Sequence, residues 1–278
     1  MITERTAVVN DLTTRYLHGG PDGRPTVVFV HEGGFGGCAD VSWGSVLPLA
    51  AESYRVIAPD MLGFGGTAKI TRFDEPPFGF RLRHIYALLD SLGIDGQVHL
   101  VGHCFGGSVI LRALTDPALR ARIATASVIS GTGGPWRTEL TAELGTYDGT
   151  LQSMRRIEEL SCGTFPGFEE YIETRQRWAS VPGHFQALAS ARTPVPEPLR
   201  AARPADPYPQ TLAGITTPLL LIEGSDDALL EPGWTKHFVQ VLPHTTVTTL
   251  PAKHSPNISH PKQTWQVIEQ FIGGTDVQ

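Results

Sequence analysis

A cysteine, an aspartate and a histidine follow three separate apolar runs, in an order suited to nucleophilic catalysis. Cys104 follows QVHLVGH, in the turn GHCFGG; Asp227 follows PLLLIEG, and His254 follows TTVTTLP. A histidine that an acid orients can take the proton of a thiol, and the thiolate can then attack an acyl carbon. The sequence therefore predicts a triad of Cys104, His254 and an acid, which is either Asp227 or Asp226.

The turn around Cys104 favours a reactive thiolate. Small residues, Gly102 and Gly106, stand on both sides, as a tight strand-to-helix turn requires. The helix predicted next directs its first N–H groups toward the side chain, which stabilises negative charge. The alternative interpretation is that Cys104 is a small buried hydrophobic residue. The acid and the histidine favour the nucleophile.

The elements that position these residues alternate between strand and helix. Nearly continuous apolar runs predict strands at 25–31, 54–60, 97–103, 124–131, 218–224 and 245–251. Helices are predicted between them at 42–52, 79–93, 107–115, 233–242 and 261–272, after an N-terminal hairpin. Such alternation indicates an α/β fold with a mostly parallel sheet and helices on both faces, whose carboxyl-terminal edge carries the predicted triad.

The alternation stops between 135 and 211, where helical patterns and then a proline-rich stretch occur. We interpret 1–134 and 212–278 as one α/β core and 135–211 as an inserted α-helical cap. The alternative is two domains in series. A carboxyl-terminal piece with only two strands would bury too little sheet to fold alone, which favours the insertion.

Composition excludes several classes of function. The net charge of −6 offers no basic excess for nucleic acid, and no apolar run approaches the length of a membrane span. The N-terminus has no apolar signal region, and three scattered cysteines favour a reducing compartment. We therefore expect a cytoplasmic protein without nucleic-acid or membrane partners. No ligand spacing indicates a metal, and no cofactor is expected.

Several segments in this order resemble those of the α/β-hydrolase superfamily, over nearly the whole chain. VFVHEGGFGG resembles its oxyanion loop, RVIAPDMLGFGGT its PDxxGxGxS stretch, and GHCFGG its nucleophile elbow. EGSDDALLEP and KHSPNISHP resemble its acid and histidine loops, and the resemblance implies Asp227 as the acid, with Asp226 as the alternative, and His254 as the base. The resemblance implies the α/β-hydrolase fold with a helical cap. The superfamily usually has serine at the elbow, where this chain has cysteine.

The resemblance also implies an oxyanion hole, formed by the backbone N–H of Phe105 and that of Gly33 or Gly34. Glu32 departs from the pattern, since glycine usually holds its place. We expect its carboxylate to point outward, to pair with a cation, or to act as an acid or base. Aromatic residues of 135–211, Trp136 among them, are expected to favour a bulky, partly apolar acyl substrate.

These features predict an acyl-transfer enzyme that forms a thioester with an ester, lactone or thioester substrate, either a small molecule or carrier-bound. Hydrolysis and intramolecular transfer both fit. The cysteine elbow also resembles that of Dieckmann cyclases of polyketide biosynthesis, which release polyketide–peptide thioesters by forming a C–C bond. Two other classes stay open: a non-catalytic ligand-binding protein, and a cofactor-free lyase or oxygenase in which His254 is a lone base.

Overall fold

An eight-stranded sheet runs through the molecule. A computed structural model describes residues 1–199 and 205–275 of the chain. Its strands are β1 Thr3–Val9, β2 Leu12–Gly19, β3 Thr26–Val30, β4 Arg55–Pro59, β5 Val98–His103, β6 Ile123–Ile129, β7 Leu219–Gly224 and β8 Thr246–Leu250.

The strand order is β1-β2-β4-β3-β5-β6-β7-β8. The predicted N-terminal hairpin is present, since β1 pairs antiparallel with β2, and β2 pairs antiparallel with β4. Every other neighbouring pair is parallel. The predicted fold class, a mostly parallel sheet between helices, is confirmed.

The helices agree less closely with their predicted bounds than the strands do. They are α1 Ala39–Trp43, α2 Leu47–Ala50, α3 Gly79–Ser91, α4 Phe105–Ala113, α5 Pro117–Arg120, α6 Leu151–Ser161, α7 Phe168–Ala179, α8 His184–Arg192, α9 Lys236–Val239, α10 Pro256–Ser259 and α11 Pro261–Thr275. Short 3-10 turns occupy Glu139–Gly145, Glu197–Leu199 and Gln210–Leu212.

Two predicted helices are shorter than expected. The one predicted over 42–52 is divided between α1 and α2, because Pro48 has no N–H to donate and so favours a new helix start. The one predicted over 233–242 is reduced to α9, since Gly233 has a left-handed φ of 74° and Pro243 follows the segment. Neither change reaches the strand ends that carry the predicted triad.

The sheet is buried on both faces. Alternate residues of β3 enter different hydrophobic clusters: Val28 and Val30 join one, and Val27 and Phe29 join the other. All four side chains are fully buried. This explains why the strands read as continuous apolar runs.

Helices α6, α7 and α8 come between β6 and β7 in the chain and contribute to a cavity at the carboxyl-terminal edge of the sheet. The proline-rich stretch after α8 contains only 3-10 turns and irregular backbone where it is described, and 200–204 lie outside the described residues. The division into a core and a cap formed by 135–211 stays a prediction.

Candidate active site

Cys104 stands at a strained turn between β5 and α4. Its φ is 52° and its ψ −110°, a conformation that non-glycine residues rarely adopt. The turn is tight: a Cβ on Gly106 would lie 2.5 Å from the carbonyl oxygen of His31 and would collide with that of Val30. The Cys104 N–H donates to the Ile129 carbonyl oxygen at 2.8 Å, which ties the turn to β6. This geometry holds the sulfur at the edge of the cavity.

The loops after β7 and β8 bring an acid and a histidine together. The Nδ1 atom of His254 lies 2.8 Å from Oδ2 of Asp227. The other Asp227 oxygen accepts the N–H groups of Leu229 at 2.8 Å and Leu230 at 3.3 Å, which fixes the carboxylate. The side chain of Asp226 is exposed instead. Of the two candidate acids, Asp227 is the one that contacts the imidazole.

The imidazole of His254 has a raised pKa although it is buried. Burial opposes its charge, but the negative forms of Cys104 and Asp227 outweigh burial and raise its pKa to about 10. Burial raises the pKa of the Asp227 carboxyl, but His254 and the loop N–H groups outweigh burial and lower this pKa. The arrangement therefore favours a protonated imidazole beside the Asp227 carboxylate.

His103, next to the cysteine, is a buried neutral histidine. Burial, with His254 nearby, lowers its pKa to about 3. Its ring centroid lies 5.7 Å from that of His254 and 6.5 Å from that of Trp43. Because His103 carries no charge near neutral pH, it does not compete with Asp227 for the imidazolium.

The loop after β3 lies against the residue that follows the cysteine. A Cβ on Gly33 would lie 2.8 Å from the Cβ of Phe105, so the two predicted oxyanion donors are close neighbours. The Gly34 N–H donates to the Oε2 of Glu32. No acceptor contacts the Gly33 N–H among residues 1–199 and 205–275. Gly33 is therefore the glycine whose N–H is available, and Gly34 is already engaged.

Glu32 takes one of the three courses open to it from the sequence: it pairs with a cation. Its Oε1 lies 2.9 Å from Nη1 of Arg175 on α7. Burial raises the pKa of the carboxyl, but Arg175 and the Gly34 N–H outweigh it and lower the pKa to about 2. Glu32 is therefore ionised near neutral pH and unsuited to general acid catalysis.

The cavity above Cys104 has a volume of about 560 Å³. Its aromatic lining comes from outside 135–211, namely from Phe35, Phe64, Phe78 and Phe105. None of the eight aromatic residues in 135–211 lies among the described residues that line it. Trp136, expected near the substrate, is thus not among these lining residues; its ring stacks on His237 at 4.6 Å and packs edge-on against Phe238.

Sequence reasoning missed three arginines that line the cavity: Arg81, Arg137 and Arg192. Within the described part of the chain, none of them forms an ion pair with a carboxylate. Burial lowers the pKa of Arg81 to about 10, and Arg192 is close enough to interact electrostatically with Cys104. No motif surrounds these residues, so no sequence signal could have identified them.

Residues 1–199 and 205–275 contain neither a cluster arranged as a metal site nor a helix suited to cross a membrane. No group of three or more histidine, cysteine, aspartate or glutamate side chains there has the arrangement of a metal site. None of the helices there has both the length and the apolar character needed to cross a membrane.

The chain is similar in sequence to known hydrolases. Residues 27–267 match the model of a family described as the alpha/beta hydrolase family. The chain is 28% identical to the 2-hydroxy-6-oxo-6-(2'-aminophenyl)hexa-2,4-dienoic acid hydrolase of Metapseudomonas resinovorans, over 97% of this chain and 90% of that protein.

Two further similarities agree with this match. The chain is 31% identical to the 2-hydroxy-6-oxo-2,4-heptadienoate hydrolase of Pseudomonas putida, over 77% of this chain and 76% of that protein. The solved structure of a 2-hydroxy-6-oxo-6-phenylhexa-2,4-dienoate hydrolase from Rhodococcus sp. strain RHA1 has a TM-score of 0.83 and 23% identity, and the match covers 98% of this chain and 99% of that one.

Proposed function

The chain belongs to the alpha/beta hydrolase family, and we propose that it is an acyl-transfer enzyme that forms a thioester on Cys104. The relatives named above are hydrolases, in agreement with an esterase-like enzyme. The observation that carries the proposal is the contact of Asp227 with His254, at a cavity that Cys104 and His254 both line. These side chains meet at the carboxyl ends of parallel strands, where α/β folds place their ligands.

In the first half of the reaction, the sulfur of Cys104 attacks an acyl carbonyl carbon. The His254 Nε2 holds the proton that the thiol has lost, and Nδ1–H donates to Asp227. A C–S bond forms, and the carbonyl electron pair moves to oxygen. The N–H groups of Gly33 and Phe105 stabilise the oxyanion.

In the second half, the oxyanion collapses and the bond to the leaving group breaks. The leaving group departs with the bonding electrons and takes the proton from His254, which leaves a thioester on Cys104. Water then attacks the thioester carbon while His254 accepts a proton from it. Release of the acid returns the sulfur as a thiolate beside the imidazolium.

The substrate is proposed to carry a carboxylate or another anionic group. Arg81, Arg137 and Arg192 line the cavity without carboxylate partners among the described residues, whereas the carboxylate of Glu32 is paired with Arg175. A cavity with unpaired cations favours an anion over a neutral ligand of the same shape. The two similar hydrolases are named for substrates that contain an oxo group and a carboxylate.

A matched pair of substrates tests this function. p-Nitrophenyl butyrate and the p-nitrophenyl monoester of succinate differ mainly by one carboxylate, and 2-hydroxy-6-oxo-6-phenylhexa-2,4-dienoate adds an oxo acid of the relatives' kind. We expect the wild type to prefer the succinate ester in kcat/KM and the Arg192→Met variant to lose this preference. Cys104→Ala is expected to be inactive on all three. Turnover by Cys104→Ala would contradict the thioester and favour a cofactor-free reaction in which His254 is a lone base.

A second candidate function is C–C bond formation within the acyl chain, as in Dieckmann cyclases. The observation that favours it is cysteine at the elbow, because a thioester is a better acceptor for carbon nucleophiles than an oxygen ester. The loop after β6, where such an enzyme could hold its acid, reads Ser130-Gly131-Thr132 and has no carboxylate. A β-ketoacyl thioester would distinguish the two reactions, since hydrolysis releases the free acid and condensation a ring.

A further inference from the structure

Three buried charged side chains beside the cysteine have no part in the proposed triad. Glu32, Glu158 and Arg175 are exposed by only 6%, 2% and 3%. The guanidinium of Arg175 lies 2.9 Å from Glu32 and 3.1 Å from Glu158. Charged groups are rarely buried this deeply unless they are paired, because removing them from water is costly. A role in the site would explain why these three charged groups are buried beside Cys104 despite this cost.

The proton balance of this cluster differs between its two carboxyls. Arg175 and the Gly34 N–H keep Glu32 ionised. Burial raises the pKa of Glu158, and Arg175 only partly offsets it. The hydroxyl of Tyr171 donates to Glu158 at 2.6 Å, which gives this carboxyl a second partner. Glu32 is thus the carboxyl of the cluster that stays ionised, and Glu158 is the second carboxyl that contacts the guanidinium of Arg175.

The same cluster fastens the loop after β3 to the helices above it. Arg175 on α7 reaches Glu32, and its backbone leaves no room for a side chain on Gly36. On α8, Nε2 of His184 accepts the Gly36 N–H at 2.8 Å. Burial lowers the pKa of His184 to about 4, so this histidine is a neutral acceptor. The position of the loop therefore depends on α7 and α8.

This attachment has a consequence for the oxyanion hole. The carboxylate of Glu32 faces Arg175 and takes up the Gly34 N–H, while the Gly33 N–H has no acceptor within the described residues. Without Arg175, the negative charge of Glu32 would be unpaired next to that amide, since Gly33 directly follows Glu32 in the chain. An unpaired carboxylate there would oppose the charge that develops on the substrate oxygen.

We infer that Arg175, held by Glu158, is a positioning residue for the oxyanion hole, which it serves by pairing with Glu32 and so keeping the hole free of uncompensated negative charge. The inference rests on the proposed function, since it concerns the same hole. It means that helices α6 and α7 set the geometry in which the oxyanion is stabilised, in addition to covering the cavity.

The first test compares Arg175→Met with Arg177→Met. Both arginines lie on α7, but Arg177 is exposed and its side chain donates only to Thr174 among the described residues. Single-turnover acylation by p-nitrophenyl butyrate is followed as nitrophenolate release. We expect acylation to slow about 10- to 100-fold in Arg175→Met, comparable to the loss of part of an oxyanion hole, and to stay unchanged in Arg177→Met.

A second readout separates positioning from general damage. Iodoacetamide alkylates a thiolate without forming an oxyanion, so it reports on Cys104 and His254 alone. We expect the alkylation rate of Arg175→Met to stay within about twofold of the wild type. Equal losses in acylation and alkylation would show that the whole site is disturbed and would overturn the inference.

A double variant tests the pairing itself. Glu32→Gln keeps an oxygen for the Gly34 N–H but removes the charge. We expect Glu32→Gln/Arg175→Met to acylate faster than Arg175→Met, because the unpaired carboxylate is gone. A double variant as slow as the product of the two single effects would contradict the pairing. If Arg175→Met fails to fold, the double variant is compared with Glu32→Gln, and acylation at a similar rate is the expected result.

The activity of Cys104→Ala distinguishes a failure of the proposed function from a failure of the positioning role. Acylation that persists without the thiol would remove the proposed function, whatever Arg175 does. An inactive Cys104→Ala together with wild-type acylation in Arg175→Met would remove the positioning role alone.

Discussion

At the scale of single residues, an acid fixes the histidine of the proposed triad. Asp227 contacts Nδ1 of His254 at 2.8 Å, and the pKa of the imidazole is raised to about 10. An acid that fixes the imidazole in this way selects the tautomer whose Nε2 can exchange a proton with the sulfur. Loss of this acid is therefore expected to slow the reaction mainly because the imidazole loses its fixed tautomer.

We expect Asp227→Asn to lower kcat by about 10²- to 10⁴-fold, because an amide no longer selects the productive tautomer or stabilises its charge. Asp226→Asn is the matched control, since the neighbouring side chain is exposed. Its kcat is expected to stay within about twofold of the wild type, as for a surface substitution. Steady-state rates on one activated ester decide between them, and a larger loss in Asp226→Asn would transfer the role to that residue.

The raised pKa of His254 predicts a stability that depends on pH. A histidine whose pKa rises from 6.5 unfolded to about 10 folded stabilises the folded state fully below 6.5, and this contribution is lost as the pH rises through about 10. The difference in free energy of unfolding between wild type and His254→Gln should therefore be larger at about pH 6 than at about pH 10. Urea titrations measure it, and equal differences at both pH values would refute the ion pair.

At the scale of elements, the turn between β5 and α4 limits what the chain can place beside the cysteine. Gly106 packs against the backbone of the loop after β3, and its Cβ position is already occupied by carbonyl oxygens of Val30 and His31. The elbow and the oxyanion loop therefore approach each other as bare backbone. This contact brings Phe105 next to Gly33.

Gly106→Ala is expected to lower the free energy of unfolding by about 1–3 kcal/mol through overpacking, and to abolish acylation because the elbow must shift. Gly96→Ala is the control, since a Cβ there meets nothing within 4 Å. It should change stability by no more than about 0.5 kcal/mol. Denaturant melts and burst kinetics on both variants would contradict the account if Gly106→Ala behaved like Gly96→Ala.

The sequence predicted the strands and the approach of Asp227 to His254 for one physical reason. Parallel strands end at a common edge, so residues that follow β5, β7 and β8 must converge there. The ion pair between Glu32 and Arg175 could not be predicted, because it joins distant segments whose separation depends on helix packing. The positions of Arg81 on α3 and Arg192 on α8 likewise depend on which faces of these helices point into the cavity.

At the scale of the whole molecule, charge is distributed unevenly. The chain carries a net charge of −6, yet its cavity is lined by Arg81, Arg137 and Arg192 without carboxylate partners in the described residues. Such a cavity attracts an anion locally although the protein as a whole repels it. Mobile ions weaken attraction and repulsion alike, so the sign of the salt effect shows which field the substrate meets.

We expect kcat/KM for the succinate monoester to fall several-fold as salt rises from about 0.02 M to about 0.5 M, because salt screens the arginines. The neutral butyrate ester should be insensitive to the same change. A rise for the succinate ester would show that the global negative charge dominates and would contradict an anionic subsite.

Acylation of the Cys104 thiol is the step on which the proposed function depends, and intact-protein mass spectrometry detects it. Wild type and Cys104→Ala are incubated with activated acyl esters and thioesters, quenched in acid within one turnover, and weighed. We expect a mass increase equal to the acyl group in the wild type, reversed by hydroxylamine, and none in Cys104→Ala. Turnover of the same substrate by Cys104→Ala, with no acylated wild type, would contradict this expectation.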